Sequence, residues 1–379
     1  MPEQGLIVEL DLNDEQRLLK ASLQQFVRRE VVPASVGRIY REANGLDEGI
    51  LARAALAGWV AVGVPEEYGG LSLTMIDHAV IFEELGRSSV PGPYFSSGVL
   101  GARILVEAGS QEVKERLLPG LVSGDVRLGV AACDSGIHWS KDDVRSRVAY
   151  ASGRPYLTGE KRFVHDADAS THFICAARDD HDRVILAIVD SDSPGVSLTR
   201  PGGMLTSVST VTFKSVALHE SYQLGAGVDG WEILERAVYL SLPSLSAFLV
   251  GACRSVFDMT LEYTRSRHAF GQPIGRFQRV QDHVVGLANH MDVADLITSE
   301  LLWKLERGLA QPADVYESAA ACREAYYECC NYAHMVFAGP GTDLDHPLMT
   351  HTMLSRSLYQ YLGSPSYHKM RMLDLRYSQ

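Results

Sequence analysis

The chain lacks the residue patterns that build metal centres and disulfide frameworks. Its six cysteines, Cys133, Cys175, Cys253, Cys322, Cys329 and Cys330, have none of the paired spacing of a zinc site. Thirteen histidines include no H-x-x-x-H pair, so no metal is expected. Cys329 and Cys330, adjacent on a predicted helix, are poorly placed to bond to each other or to chelate together, and all six thiols are expected to be reduced and structural. Basic charge is also scarce: 35 Lys and Arg against 47 Asp and Glu leave a net charge of -12. That balance argues against nucleic acid or an anionic membrane as the main partner, and leaves room for a local basic pocket. No apolar run of bilayer-crossing length stands out, and the opening Met-Pro-Glu-Gln-Gly has neither the basic start nor the apolar core of a signal peptide, so a cytoplasmic location is expected. Low-complexity tracts and fixed-period repeats are missing too.

What is present is ordinary globular material, 46% hydrophobic and 22% charged over 379 residues, enough for two or three domains. Its texture changes twice. Residues 1–125 read as helices, with Asn13 as N-cap, Gln16 three residues on, and Leu19, Leu23, Phe26 and Val27 on one face. Residues 126–224 read as a small β domain, with strand-like runs at Arg127 to Ala132, Phe173 to Ala176, Val184 to Val189 and Ser207 to Phe213. Residues 225–379 return to helical patterns: Gly230 to Leu242, then Leu245 to Arg265, then Val280 to Leu302.

Between the last two helical runs lies Arg267-His-Ala-Phe270-Gly271-Gln-Pro273-Ile274-Gly-Arg-Phe277-Gln278. Gly271 and Pro273 break the helix. Arg267 then sits at a helix C-terminus, either capping the helix dipole or free to fork onto a pair of phosphates. A diphosphate-bearing cofactor is the chemistry such an arginine suits.

This run, R-x-x-F-G-x-P-I-x-x-F-Q, resembles the signature of the acyl-CoA dehydrogenase flavoproteins. The resemblance extends to Gly58-Trp59, Val64-Pro65-Glu66-Glu67-Tyr68-Gly69-Gly70-Leu71, Glu83-Glu84-Leu85-Gly86-Arg87, Leu157-Thr158-Gly159-Glu160-Lys161 with Phe163, His346-Pro347 and Gly363-Ser364. It implies an α+β multidomain fold: an N-terminal helical domain, a small barrel-like β-sheet domain and a C-terminal four-helix bundle. It also implies FAD lying between the last two domains, with the adenosine diphosphate half gripped by a neighbouring subunit. The implied reaction introduces an α,β double bond into an acyl-CoA, with a glutamate taking the α proton and electrons passing to an electron-transfer flavoprotein or similar acceptor.

The family's glutamate positions fall here on Leu362, on Ser241 beside Leu242, and on Phe248, and none of these is an acid. Asp343, Asp345, Glu232, Glu235 and Glu262 are other carboxylates, each read first as a solvated or capping group. Ser135 and Gly136, within Ala132-Cys133-Asp134-Ser135-Gly136-Ile137-His138-Trp139, keep part of the flavin-binding turn. Phe163 resembles the aromatic that packs on the flavin, and is equally readable as core, while His165 stands where a hydroxyl often bonds the flavin. Gly339 and Gly341 survive from the loop that grips adenosine diphosphate. Arg267, Phe270 and Gln278, which in the family reach toward a neighbour's flavin, are intact. The reading that follows is the base-lacking subunit of an α2β2 acyl-CoA dehydrogenase, sharing FAD with a related subunit that carries the glutamate, for bulky, steroid-like acyl groups. The alternatives are a self-sufficient flavoenzyme with altered chemistry and a non-catalytic relative.

Overall fold

The computed structural model describes residues 12–136, 139–219 and 221–377, except the side chains of Pro33 and Ala34. The opening Met-Pro-Glu-Gln-Gly and, in the turn, Ile137 and His138 lie outside the described residues.

Six helices come first: α1 (Asp14–Glu30), α2 (Pro33–Glu42), α3 (Glu48–Leu56), α4 (Met75–Arg87), α5 (Ala102–Ala108) and α6 (Gln111–Ser123). Asn13 starts α1 through a reciprocal capping box with Gln16, which satisfies two backbone donors that would otherwise be left bare. Leu23 and Phe26 carry its buried face, and Phe26 meets Trp59 edge-on at 4.7 Å between ring centroids.

The β region contains β1 (Leu128–Ala131), β2 (Arg147–Ala151), β3 (Arg154–His165), β4 (His172–Arg178), β5 (Val184–Asp190), β6 (Val196–Thr199), β7 (Val208–Ala217) and β8 (Gln223–Leu224). They form one sheet in the order β6-β7-β3-β2-β4-β5-β8, with β1 added in parallel to β4. β2 and β3 lack the apolar runs by which β1, β4, β5 and β7 are recognised. β2 buries only Val148 and β3 is largely exposed along its middle, so sheet pairing rather than composition makes them strands.

The chain ends in three long helices, α7 (Gly230–Ser266), α8 (Gln278–Glu306) and α9 (Pro312–Phe337), and two shorter ones, α10 (Pro347–Tyr359) and α11 (Pro365–Tyr377). The two helical runs around Pro243 are one 37-residue helix, in which the proline is carried without a break. Contrary to the sequence expectation, α7 is long and apolar enough to cross a membrane by composition. Its most apolar window, of mean hydropathy 1.4, is 72% buried, because α4, α8 and α9 cover it. A short hairpin, β9 (His268–Ala269) and β10 (Gln272–Pro273), separates α7 from α8.

Two glycines bring α4 against α7. A Cβ on Gly86 would fall 1.9 Å from the Phe248 carbonyl oxygen, and one on Gly251 would fall 1.9 Å from the Glu83 carbonyl oxygen. Backbone therefore touches backbone at this crossing, and Phe248 is held at a fixed depth between the helical domains. All six cysteines are buried and free.

Candidate functional site

A cleft of about 510 Å³ opens between β3 and the loop that follows α10. Cys133, Gly136, Phe163 and His165 line one wall; Tyr361, Leu362, Gly363 and Tyr367 line the other. Arg162 and Arg356 also line it and, among the described residues, no carboxylate does, so the cleft favours an anionic ligand. Phe163 stands 42% exposed at φ 52°, a left-handed backbone that turns its ring out of the sheet into the cleft. Gly136 supports that ring: a Cβ there would lie 2.3 Å from Phe163 Cδ2.

The turn before Gly136 is held from beneath by a buried ion pair. Lys161, fully buried, donates to the Ala132 carbonyl at 2.8 Å and to the Asp134 carboxylate. Asp134 also accepts from the amides of Arg145 and Ser146, at 3.1 and 2.9 Å. The Ser135 amide donates to Asp143 at 2.9 Å, so this donor faces Asp143 rather than the cleft.

The opposite wall is pinned by Arg323. This guanidinium is 1% exposed, donates to the Tyr361 carbonyl at 2.9 Å and the Ala319 carbonyl at 2.7 Å, and has no carboxylate partner among the described residues. Burial pushes its pKa down to about 10, which leaves it charged at neutral pH. Leu362, in the place expected of the base, is 4% exposed with φ 59° and contributes only apolar surface.

Behind this wall is a second cavity of about 60 Å³, bounded by Phe82, Phe95, Leu245, Phe248 and Leu354 and by the polar side chains of Tyr40, Tyr94 and Asp166. His165 and Tyr361 line both spaces and stack on each other at 3.8 Å between centroids, forming the partition. Burial pushes the His165 pKa down to about 3, so its ring is neutral at physiological pH.

The sequence-derived residues divide into groups. Phe163, His165 and Leu362 meet at the cleft, and Phe248 lines the inner cavity. Ser241 bonds back to the Ala237 carbonyl at 2.7 Å and lines neither space. Of the five other carboxylates considered, Asp343, Asp345, Glu232, Glu235 and Glu262, none lines either cavity. Arg267, Phe270 and Gln278 stand together on the exposed α7–α8 connection, away from the chain's own cleft, with Phe270 95% exposed. Gly339 is exposed, whereas a Cβ on Gly341 would lie 2.8 Å from Phe337 Cβ, so Gly341 serves packing of α9. Sequence reading missed Arg323 and Asp166. Asp166 directly follows His165, and that adjacency was the available signal.

Residues 13–125 match the model of the acyl-CoA dehydrogenase N-terminal domain, and residues 228–374 match that of the acyl-CoA dehydrogenase C-terminal domain. The chain belongs to the acyl-CoA dehydrogenase family. Its fold is that of solved acyl-CoA dehydrogenase relatives. The ChsE4-ChsE5 complex from Mycobacterium tuberculosis contains a chain 23% identical, matched over 98% of this chain and 100% of that one with a TM-score of 0.84. A steroid ACAD variant, Tcur3481-Tcur3483, is 23% identical over 96% of this chain and 98% of that one, TM-score 0.82. PigA, solved with FAD and proline, is 22% identical over 96% of this chain and 98% of that one, TM-score 0.84.

The cleft of this member of the acyl-CoA dehydrogenase family fits a flavin in part. An aromatic ring on a glycine-supported strand, a neutral imidazole and two arginines, of which Arg162 also pairs with Glu160 at 3.0 Å, suit a flat, phosphate-bearing heterocycle. The neighbouring turn spends the Ser135 amide on Asp143.

Proposed function

We propose that this chain is the base-lacking subunit of an FAD-dependent acyl-CoA dehydrogenase built from two related chains. The observation that carries the reading is a contrast between two places in the fold. Leu362, Ser241 and Phe248 supply no acid, whereas Arg267, exposed at the C-terminal end of α7, has no side-chain partner among the described residues. On α8, Val285, Val293 and Leu296 are 57%, 48% and 65% exposed at spacings that put them on one face. That uncovered apolar face and the adjoining arginine suit a neighbouring subunit with a phosphate-bearing cofactor.

FAD, when bound, accepts the hydride released as the double bond forms. Arg267 and Gln278 would hold phosphate and polar groups of a flavin lodged mainly in the partner, with Phe270 packing beside them. Phe163, His165 and the arginines of the chain's own cleft would hold what it retains of a flavin site. The partner would supply the glutamate. A bulky, ring-bearing acyl group would lie in the partner's pocket, because about 60 Å³ in this chain falls well short of the ~300 Å³ from which sites for drug-sized ligands start.

Co-expression with a relative that carries an acid at the position of Leu362, Ser241 or Phe248 tests the proposal. A stable complex with flavin absorbance and dehydrogenase activity is expected; chains that do not associate sink it. The second reading, a self-sufficient flavoenzyme, is favoured by Asp166 in the inner cavity, and stoichiometric FAD on the chain purified alone would select it.

A further inference from the structure

The inner cavity contains a carboxyl group that the two-chain reading leaves without a task. Asp166 sits at φ 53°, immediately after His165, with its amide donating to the Ser207 carbonyl at 2.7 Å and its carbonyl accepting the Ser170 hydroxyl at 2.8 Å. Both ends of the residue are thereby fixed. The left-handed backbone swings its side chain off the sheet and toward the helical layer.

There Ser96 donates to Asp166 Oδ2 at 2.6 Å from a π-helical turn, Ser96–Gly101. A Cβ on Gly98 would lie 2.0 Å from the Val60 carbonyl oxygen, so the turn is seated backbone against backbone and its hydroxyl is fixed in place. Asp166 Oδ1 accepts no hydrogen bond among the described residues. Although the residue lies deep in the protein, it keeps some accessible surface, and the space it lines is the inner cavity. Tyr94 lines the same cavity, and its buried hydroxyl likewise has no partner among the described residues.

Several of the cavity's other polar groups, the Tyr40, Thr206 and Ser357 hydroxyls, donate to carbonyls of the protein itself, so the open carboxylate oxygen of Asp166 is a place where a ligand donor replaces water. In this measure a single water needs only ~10–15 Å³, so about 60 Å³ admits a short chain and no ring system. A purely hydrocarbon tail would expel the water and leave the carboxyl bare, which sites built around a hydrogen bond penalise heavily. Above about pH 7, where Asp166 is ionised, a second carboxylate would meet direct repulsion.

We infer that the cavity behind the His165–Tyr361 stack is a subsite for the tail of a short acyl thioester that carries a hydrogen-bond donor, a hydroxyl or an amine, with Asp166 as its acceptor. The inference rests on the acyl-CoA part of the proposed function and not on the partner subunit. Asp166 is then a specificity-determining residue, and Tyr361 is the side chain that must turn for the tail to enter.

The test is calorimetric titration of the full chain, in the form in which it purifies, with pairs of CoA thioesters. 4-Hydroxybutyryl-CoA is compared with butyryl-CoA, β-alanyl-CoA with propionyl-CoA, and succinyl-CoA serves as the anionic control. At least one donor-bearing thioester should bind about tenfold or more tighter than its hydrocarbon pair, with succinyl-CoA weakest; which pair shows it distinguishes hydroxyl from amine. Asp166→Ala should reduce the preference to twofold or less. Asp166→Asn keeps an acceptor for Ser96 and turns an amide NH2 toward the tail, to which a hydroxyl can act as acceptor and a charged amine cannot; it should retain a hydroxyl preference and lose an amine one. Equal affinities within both pairs, or a preference that survives Asp166→Ala, overturn the subsite and leave the rest standing. Failure of every thioester to bind this chain also overturns the subsite, and leaves standing the two-chain reading, in which the acyl group lies in the partner's pocket.

Discussion

The imidazole of His165 lies 3.8 Å from the ring of Tyr361, centroid to centroid, at an interplanar angle of 29°. One ring comes from the end of β3 and the other from the loop after α10, so the contact ties the sheet to the C-terminal helices. It also separates the anion-favouring cleft from the small inner cavity. Tyr361 is 9% exposed and packs edge-on against Phe95 as well. Tyr361→Ala should merge the two spaces and cost about 3 kcal/mol of stability. Tyr361→Phe should cost less than about 1 kcal/mol, and chemical denaturation of the two variants checks both values.

Asp166 gives stability a pH dependence with a defined sign. Burial raises its pKa from the usual carboxylate range to about 7. The folded state therefore binds the proton more tightly than the unfolded chain does, and the associated stability is full below about pH 4 and lost as pH rises through 7. Asp166→Asn carries no such loss. The variant's advantage over the parent should widen by about 2–3 kcal/mol between pH 5 and pH 8, read as the difference in unfolding free energy.

Asp134 neutralises a fully buried lysine. Removing its carboxylate in Asp134→Ala leaves Lys161 with only the Ala132 carbonyl, an uncompensated charge that should cost about 3–5 kcal/mol. The same change loosens the Ser135-Gly136 turn under Phe163. A lower denaturation midpoint, accompanied by weaker flavin retention in the assembled complex, is the expected pair of results.

Gly251 has no room for a methyl group. In Gly251→Ala the Cβ would press on the Glu83 carbonyl oxygen, and α4 and α7 would have to separate. We expect a loss of about 3 kcal/mol or more, beyond the usual cost of overpacking because the obstacle is backbone. Thermal unfolding measures it.

Arg267→Ala should leave folding untouched, since its guanidinium makes no ion pair among the described residues and lies exposed at the end of α7. In the assembled two-chain complex it should weaken flavin binding by about 1.5–3 kcal/mol, the worth of a charged phosphate contact. Flavin retained per complex after dialysis is the readout, and unchanged retention would remove Arg267 from the site.

Much of the architecture was legible in one dimension. Asn13 with Gln16 announces α1, Gly271 with Pro273 ends α7, and β-branched runs mark β4, β5 and β7, because each signal acts within a few residues of itself. β2 and β3 escaped for the opposite reason: their side chains are largely exposed, and only pairing with neighbours makes them strands. The runs ending at Leu242 and beginning at Leu245 are one helix, α7, because the turns around Pro243 are buried against its neighbours. At the site, Leu362 could be read as a missing acid from the sequence alone. Arg323 could not be placed, since nothing near it in sequence indicates the loop it faces, and the adjacency of Asp166 to His165 marks the strand end without indicating the cavity behind it.

The sequence by itself determined the helix, strand, helix order, the family, and the lack of an acid at the three expected positions, all properties of local pattern and residue identity. Tertiary structure alone decided that His165 and Tyr361 meet, that a second cavity lies behind them, and that Asp166 opens into it. Those outcomes depend on how a left-handed residue at a strand end, a π-helical turn and a glycine-to-backbone helix crossing converge from distant parts of the chain, and no single stretch encodes that convergence.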